Sequence, residues 1–196
     1  MTPPSPVPPA PRRVLLFSGH LIDEPGRATP RFPAAQEGVA AQAIATVLDQ
    51  LRAGPDDLVL TQGACGGDLL FTEACLQRGV RVQWLQPFDE AEFILRCVAR
   101  CGEACRQRYL DARARLTAPP RSASREPGVQ VDDPYERCNL GLLASALSHG
   151  PDKVHFICLW NGGGGDGPGG TAHMVEAVKR VSGKVTWIDT RVIFAA

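Results

Sequence analysis

No apolar run in this chain approaches the length a helix needs to cross a bilayer, so no membrane-spanning segment is expected. Neither sign of charge is in excess: 21 Lys and Arg balance 21 Asp and Glu, which removes the broad basic footprint of a polynucleotide-binding surface. The start lacks an export signal. Met1–Arg13 holds six prolines and no apolar h-region, and residues 1–12 read as a disordered, solvated tail. The seven cysteines include no C-x-x-C pair, and without an export signal they are expected as reduced thiols in a cytoplasmic protein. Cys97, Cys101 and Cys105 fall four apart and would share one helical stripe, read as a packing seam of small apolar side chains. The usual zinc spacing is missing, so no metal is expected.

Several catalytic signatures are also missing. There is no G-x-x-x-x-G-K-[ST] phosphate loop and no G-x-S-x-G nucleophile elbow, which disfavours P-loop kinases and serine hydrolases. The glycine cluster at Gln62–Asp68 is not G-x-G-x-x-G, and no acidic residue follows at ribose-binding spacing, which weakens a dehydrogenase reading. No internal repeat suggests a solenoid.

What the chain does contain is an alternation of apolar strands and helical patterns. Apolar runs at Val14–Ser18, Leu58–Thr61, Val80–Leu85, Val154–Leu159 and Val185–Asp189 predict strands. Helical spacing is read over Ala35–Arg52, from the turn at Gly63–Asp68 to Gly79, over Glu90–Gly102 and Glu103–Leu116, over Tyr135–Ser148 and over Thr171–Val181. The order implies a doubly wound, Rossmann-like α/β fold: one domain from residue 13 onward, a mainly parallel sheet with helices on both faces. The polar stretch Thr117–Pro134 predicts a mobile loop or lid.

Three of the strands end in glycine or polar turns. Ser18-Gly19-His20 follows the first, Gly63, Gly66, Gly67 and Asp68 the second, and Trp160 with the run Gly162–Thr171 the fourth. In a parallel sheet all three turns open on one edge, where ligands of such folds sit. A glycine turn that opens a helix leaves backbone N–H groups free to meet an anion, so Gly167, Gly169, Gly170 and Thr171 predict a phosphate site. Gly66 and Gly67 would let a ligand approach, though a tight turn with Asp68 capping the helix explains the same residues. Glu176, within one or two turns of the anion site, would meet ribose hydroxyls or assist N-glycosidic cleavage, or be a surface glutamate.

Ser18-Gly19-His20, G-A-C-G-G-D at Gly63–Asp68 and P-G-G-T-A-H-M-V-E at Pro168–Glu176 together resemble the SLOG superfamily of Rossmann-like proteins. That group includes the Lonely Guy phosphoribohydrolases, the DNA-processing protein A family and nucleotide-sensing domains. The resemblance spans about Arg13 to Phe194. The phosphoribohydrolases carry P-G-G-x-G-T-x-x-E, on which Pro168, Gly169, Gly170 and Glu176 match, while Ala172 and His173 replace the second glycine and the threonine. What the resemblance implies is a module that binds a nucleotide or an ADP-ribose-like molecule, with Trp160 against the base. The alternative it implies is an N-glycosidase acting on nucleoside 5'-monophosphates through Glu176 and Arg137, assisted by Asp68. Neither reading needs a cofactor, and both a monomer and a homo-oligomer stay open.

Overall fold

The computed structural model describes residues 9–125, 131–164, 169–181 and 184–195. The chain forms β1 (Arg13–Gly19), α1 (Glu37–Gln50), β2 (Asp57–Thr61), α2 (Gly67–Gln77), β3 (Arg81–Gln86), α3 (Glu90–Cys97), α4 (Glu103–Ala114), β4 (Arg121–Ser122), α5 (Pro134–Leu147), β5 (Val154–Trp160), α6 (Thr171–Lys179), β6 (Val185–Asp189) and α7 (Thr190–Ile193). The six strands lie in the order β4-β3-β2-β1-β5-β6, every pair parallel. This is the doubly wound α/β architecture that the alternation predicts.

The central strands are apolar on both faces because helices cover both. Leu15, Phe17, Val59, Ile157 and Leu159 point to a core closed by α1, α2, α3 and α4. Their alternate neighbours Val14, Leu16, Leu58, Leu60 and Phe156 point to a second core closed by α5 and α6. A period of two along each strand thus fills two separate layers. Phe17 stacks on Phe71 with ring centroids 4.2 Å apart, which fixes α2 over the end of β1.

Several particulars differ from the alternation pattern alone. The predicted helix Glu90–Gly102 stops at Cys97 and continues as a 3-10 turn, Ala99–Cys101, because Val98 leaves helical geometry and Gly102 takes φ 93°. Cys97, Cys101 and Cys105 therefore do not share one helical stripe. Cys65 and Cys105 form a disulfide, so those two are not the reduced thiols expected. Within Thr117–Pro134, Arg121–Ser122 pairs with the end of β3, and Ala123 is buried. Residues 126–130 lie outside the described residues. At the end of the segment read as a tail, Lys153 Nζ donates to Pro11 O at 3.1 Å, and Arg12 pairs with the buried Asp57 at 2.8 Å. Residues 1–8 lie outside the described residues. No helix among the described residues is long and apolar enough to cross a membrane.

Candidate functional site

β1 connects toward β2 on one side and pairs with β5 on the other, so the strand order reverses between β1 and β5. At such a reversal the loops leaving the two strands diverge to opposite faces and open a crevice beyond their carboxyl ends. A cleft of about 400 Å³ lies there. Of the residues anticipated for the ligand, Ser18, Gly19, His20, Asp68, Trp160, Gly169, Gly170 and Thr171 line it. Gly63, Gly66, Gly67, Arg137 and Glu176 do not. Gly167 falls outside the described residues, as does Pro168.

The glycines of the β2–α2 turn act on the protein itself. Gly66 adopts φ 122°, and a Cβ there would sit 2.6 Å from the His20 carbonyl oxygen and 2.8 Å from the Ile22 nitrogen. A Cβ on Gly67 would lie 3.2 Å from the Gly19 Cα, so the end of β1 rests directly on the start of α2. Gly63, at φ 81°, leaves room for the Trp84 indole, which a Cβ would approach to 2.6 Å. Without side chains at Gly19, Gly66 and Gly67, the loop at residues 19–22 is drawn onto α2, where Gly67 N–H donates to His20 O at 3.0 Å. These glycines shape the wall of the cleft from behind.

Across the crevice, the Ser18 and Thr171 hydroxyls lie 3.2 Å apart, joining the end of β1 to the first residue of α6. α6 has no side-chain cap: Gly170 at its N-cap offers no oxygen to the amides of the first turn. Those amides and the positive end of the helix dipole flank the cleft at Gly170 and Thr171. Gly169 takes φ 85° and packs so closely on α5 that a Cβ would meet the Glu136 nitrogen at 2.5 Å. The buried Asn139 of α5 secures that turn. Its Nδ2 donates to Gly169 O at 2.6 Å, and its Oδ1 accepts from Gln62 Nε2 at 2.8 Å. One side chain thus bridges the turns that follow β2 and β5.

Asp68, in the first turn of α2, is the buried carboxyl of the cleft. Burial pushes its pKa up to about 7, against the opposing effect of backbone hydrogen bonds from Ala64, Gln62 and Gly19. Near neutral pH it is divided between a proton donor and a carboxylate. His20 is also buried, with Nε2 accepting the Asn161 backbone N–H at 3.1 Å, so that nitrogen carries a lone pair. Trp160 donates its indole N–H to Gly163 O at 3.0 Å and leans on Trp187, ring centroids 5.5 Å apart.

The rim holds residues beyond those of the three strand-end turns. Tyr135 lines the cleft with its ring edge-on to Phe88 and its hydroxyl 3.8 Å from Cys97 Sγ. Arg31, Arg96 and Arg100 bring positive charge to the same opening. Arg96 lies over the Phe88 ring and pairs with Glu92 at 2.8 Å, and Arg100 pairs with Glu24. A sequence signal existed for Tyr135: Asp133-Pro134 is an N-cap followed by proline at the first helical position, and Asp133 accepts from Glu136 N–H at 2.8 Å. For Arg96 and Arg100 there was none, because the helix break between them sets their direction.

Arg137 turns away from the cleft and donates to Val131 O at 2.9 Å. Glu176 is exposed and pairs with Lys179 at 3.5 Å. His173 approaches Glu136 at 3.4 Å. No protein-family model and no curated protein matches the chain.

Proposed function

We propose that this protein binds a nucleotide or an ADP-ribose-like phosphorylated molecule in the crevice between β1 and β5, as a sensing module. The observation that carries the reading is the uncapped N-terminus of α6, held against the end of β1 by the Ser18–Thr171 contact and flanking the cleft. A helix start whose N-cap Gly170 supplies no side-chain acceptor, together with the helix dipole, favours an anion. Arg31, Arg96 and Arg100 on the opposite rim suit a second negative group, as in a diphosphate. A cleft of about 400 Å³ falls in the range of small-ligand sites. Asp68, with a pKa of about 7, would offer a proton to a ligand hydroxyl or ring nitrogen with little repulsion of phosphate below neutral pH.

Binding is placed ahead of N-glycosidic hydrolysis for a geometric reason. Glu176 and Arg137, which a phosphoribohydrolase mechanism would use, both lie off the cleft. Asp68 alone among the three hydrolytic candidates lines it.

A thermal-shift panel of AMP, ADP, NAD, ADP-ribose and cyclic nucleotides tests this. Ligand at a hundredfold excess over its Kd should add about 2.7 kcal/mol, or roughly 5–10 °C in Tm for a chain of this size. Ser18→Asp, which sets a carboxylate beside the α6 amides, should abolish the shift while leaving the ligand-free Tm within a few degrees. No shift with any member of the panel would remove the nucleotide reading. Release of free base would restore the hydrolytic one.

A further inference from the structure

Behind the β2–α2 turn, three cysteines from different parts of the chain meet. Cys65 comes from the turn itself, Cys101 from the 3-10 turn after α3, and Cys105 from the first turn of α4. Their sulfur atoms all lie within 4.8 Å of one another. Tetrahedral zinc at a zinc–sulfur distance of about 2.3 Å places its ligand sulfurs about 3.8 Å apart, so small adjustments bring these three onto one ion. Cys97, which the sequence groups with Cys101 and Cys105, has its sulfur 3.8 Å from the Tyr135 hydroxyl and is not part of this group.

The backbone that carries the three is fixed by hydrogen bonds. Cys65 N–H donates to Cys97 O at 2.9 Å, and Cys101 N–H donates to Val98 O at 3.1 Å. Cys65 and Cys105 are buried, whereas Cys101 is half-buried and lines a cavity of about 110 Å³ that also holds Asp23 and Glu24. Arg27, Arg31 and Arg100 line it as well, so the cavity is no acidic funnel; what it gives is access of a small ion and of water to the Cys101 sulfur. Cys75, Cys138 and Cys158 are buried elsewhere and do not join the cluster.

We propose that Cys65, Cys101 and Cys105, when reduced, form a site for one soft, thiophilic divalent cation such as Zn2+ or Cd2+. The Cys65–Cys105 disulfide is the oxidised form of that site and cannot hold the ion. A dithiol reductant opens it: two electrons and two protons pass to the disulfide, giving two thiols, while the reductant closes to its own disulfide. Binding of the cation then expels the thiol protons with no further electron transfer, so affinity rises with pH.

The test uses the full chain, reduced with a phosphine, freed of metal and titrated anaerobically with Cd2+ while the ultraviolet sulfur-to-cadmium charge-transfer absorption is followed. Saturation is expected at one Cd2+ per chain. Diamide-oxidised protein should give no band. Cys101→Ser should weaken binding by more than the roughly 10–100-fold that loss of a supporting group alone costs, and Cys97→Ser should not. In the unaltered chain, Cd2+ should protect Cys101 from iodoacetamide, read by peptide mass spectrometry; this measurement stands even if the Cys101→Ser variant fails to fold. No band in the reduced protein, a band unchanged by diamide or by Cys101→Ser, or Cys101 alkylated equally with and without Cd2+ would each overturn the proposal.

Discussion

Asp68 is the residue on which the chemistry of the cleft turns, because burial sets its proton affinity in the physiological range. Its pKa of about 7 lies above the 3.8 of an ordinary aspartate, so the folded chain binds more protons than the unfolded chain between those values. Stability therefore falls as pH rises from about 4 to about 7 and is level beyond. The loss amounts to at most about 4 kcal/mol. Asp68→Asn, which keeps the shape without the ionisation, should remove this slope in urea unfolding followed across pH, and should be more stable than the natural chain at pH 8. An unchanged slope would mean that Asp68 reaches solvent in the folded state.

Among elements, the junction of β2, α5 and α6 is the one that decides whether the cleft exists. Asn139 holds the Gly169 carbonyl with one hand of its amide and Gln62 with the other. Asn139→Leu fills a similar volume but leaves a half-buried carbonyl and a half-buried amide unmet, a loss of about 1–2 kcal/mol. Because the Gly169–Gly170 turn positions the first amides of α6, ligand affinity should fall more than tenfold in the same variant under folded conditions. Isothermal titration at low temperature separates the two effects. A variant that is destabilised yet binds normally would show that α6 keeps its position without the bridge.

For the whole molecule, Asp57 ties the N-terminal segment to the start of the sheet. Its buried carboxylate accepts from Arg12, Arg13 and the Gly54 N–H, while the same arginines donate to Arg52 O and Leu51 O past the end of α1. Burial alone would raise the Asp57 pKa, but the hydrogen bonds from Arg12 and Arg13 outweigh it and hold it below the ordinary 3.8. A depressed pKa contributes stability that is present above the unfolded value and is lost as pH falls through the folded one. Combined with Asp68, this predicts a stability maximum near pH 4 for the two groups together, with an acid limb set by Asp57 and a decline toward neutrality set by Asp68. Asp57→Asn should flatten the acid limb and lower stability by about 2 kcal/mol at pH 7, Arg12 being half exposed and its pairing screened. Chemical denaturation from pH 2 to pH 8 measures both limbs.

The sequence by itself determined the layers and the edge. Continuous apolar runs such as Val14–Phe17 and Val154–Leu159 are compatible with a sheet buried on both faces, and their alternation with helical spacing leaves parallel connections as the economical arrangement. Glycine at the ends of β1, β2 and β5 then placed a crevice at one edge, because turn chemistry is local. Only the tertiary structure decided which residues face that crevice. Gly66 and Gly67 read as a ligand cradle from composition, yet what approaches them is the protein's own loop at residues 19–22. Arg137 and Glu176 hold motif positions, but the rotation of α5 and α6 against the sheet carries them outward. The meeting of Cys65 with Cys101 and Cys105 has no trace in spacing, since it depends on a helix break at Val98 and on the packing of α4 behind the β2–α2 turn. Periodicity reports which face of an element is apolar; direction across a gap is set by how neighbouring elements pack, and that is a property of the folded whole.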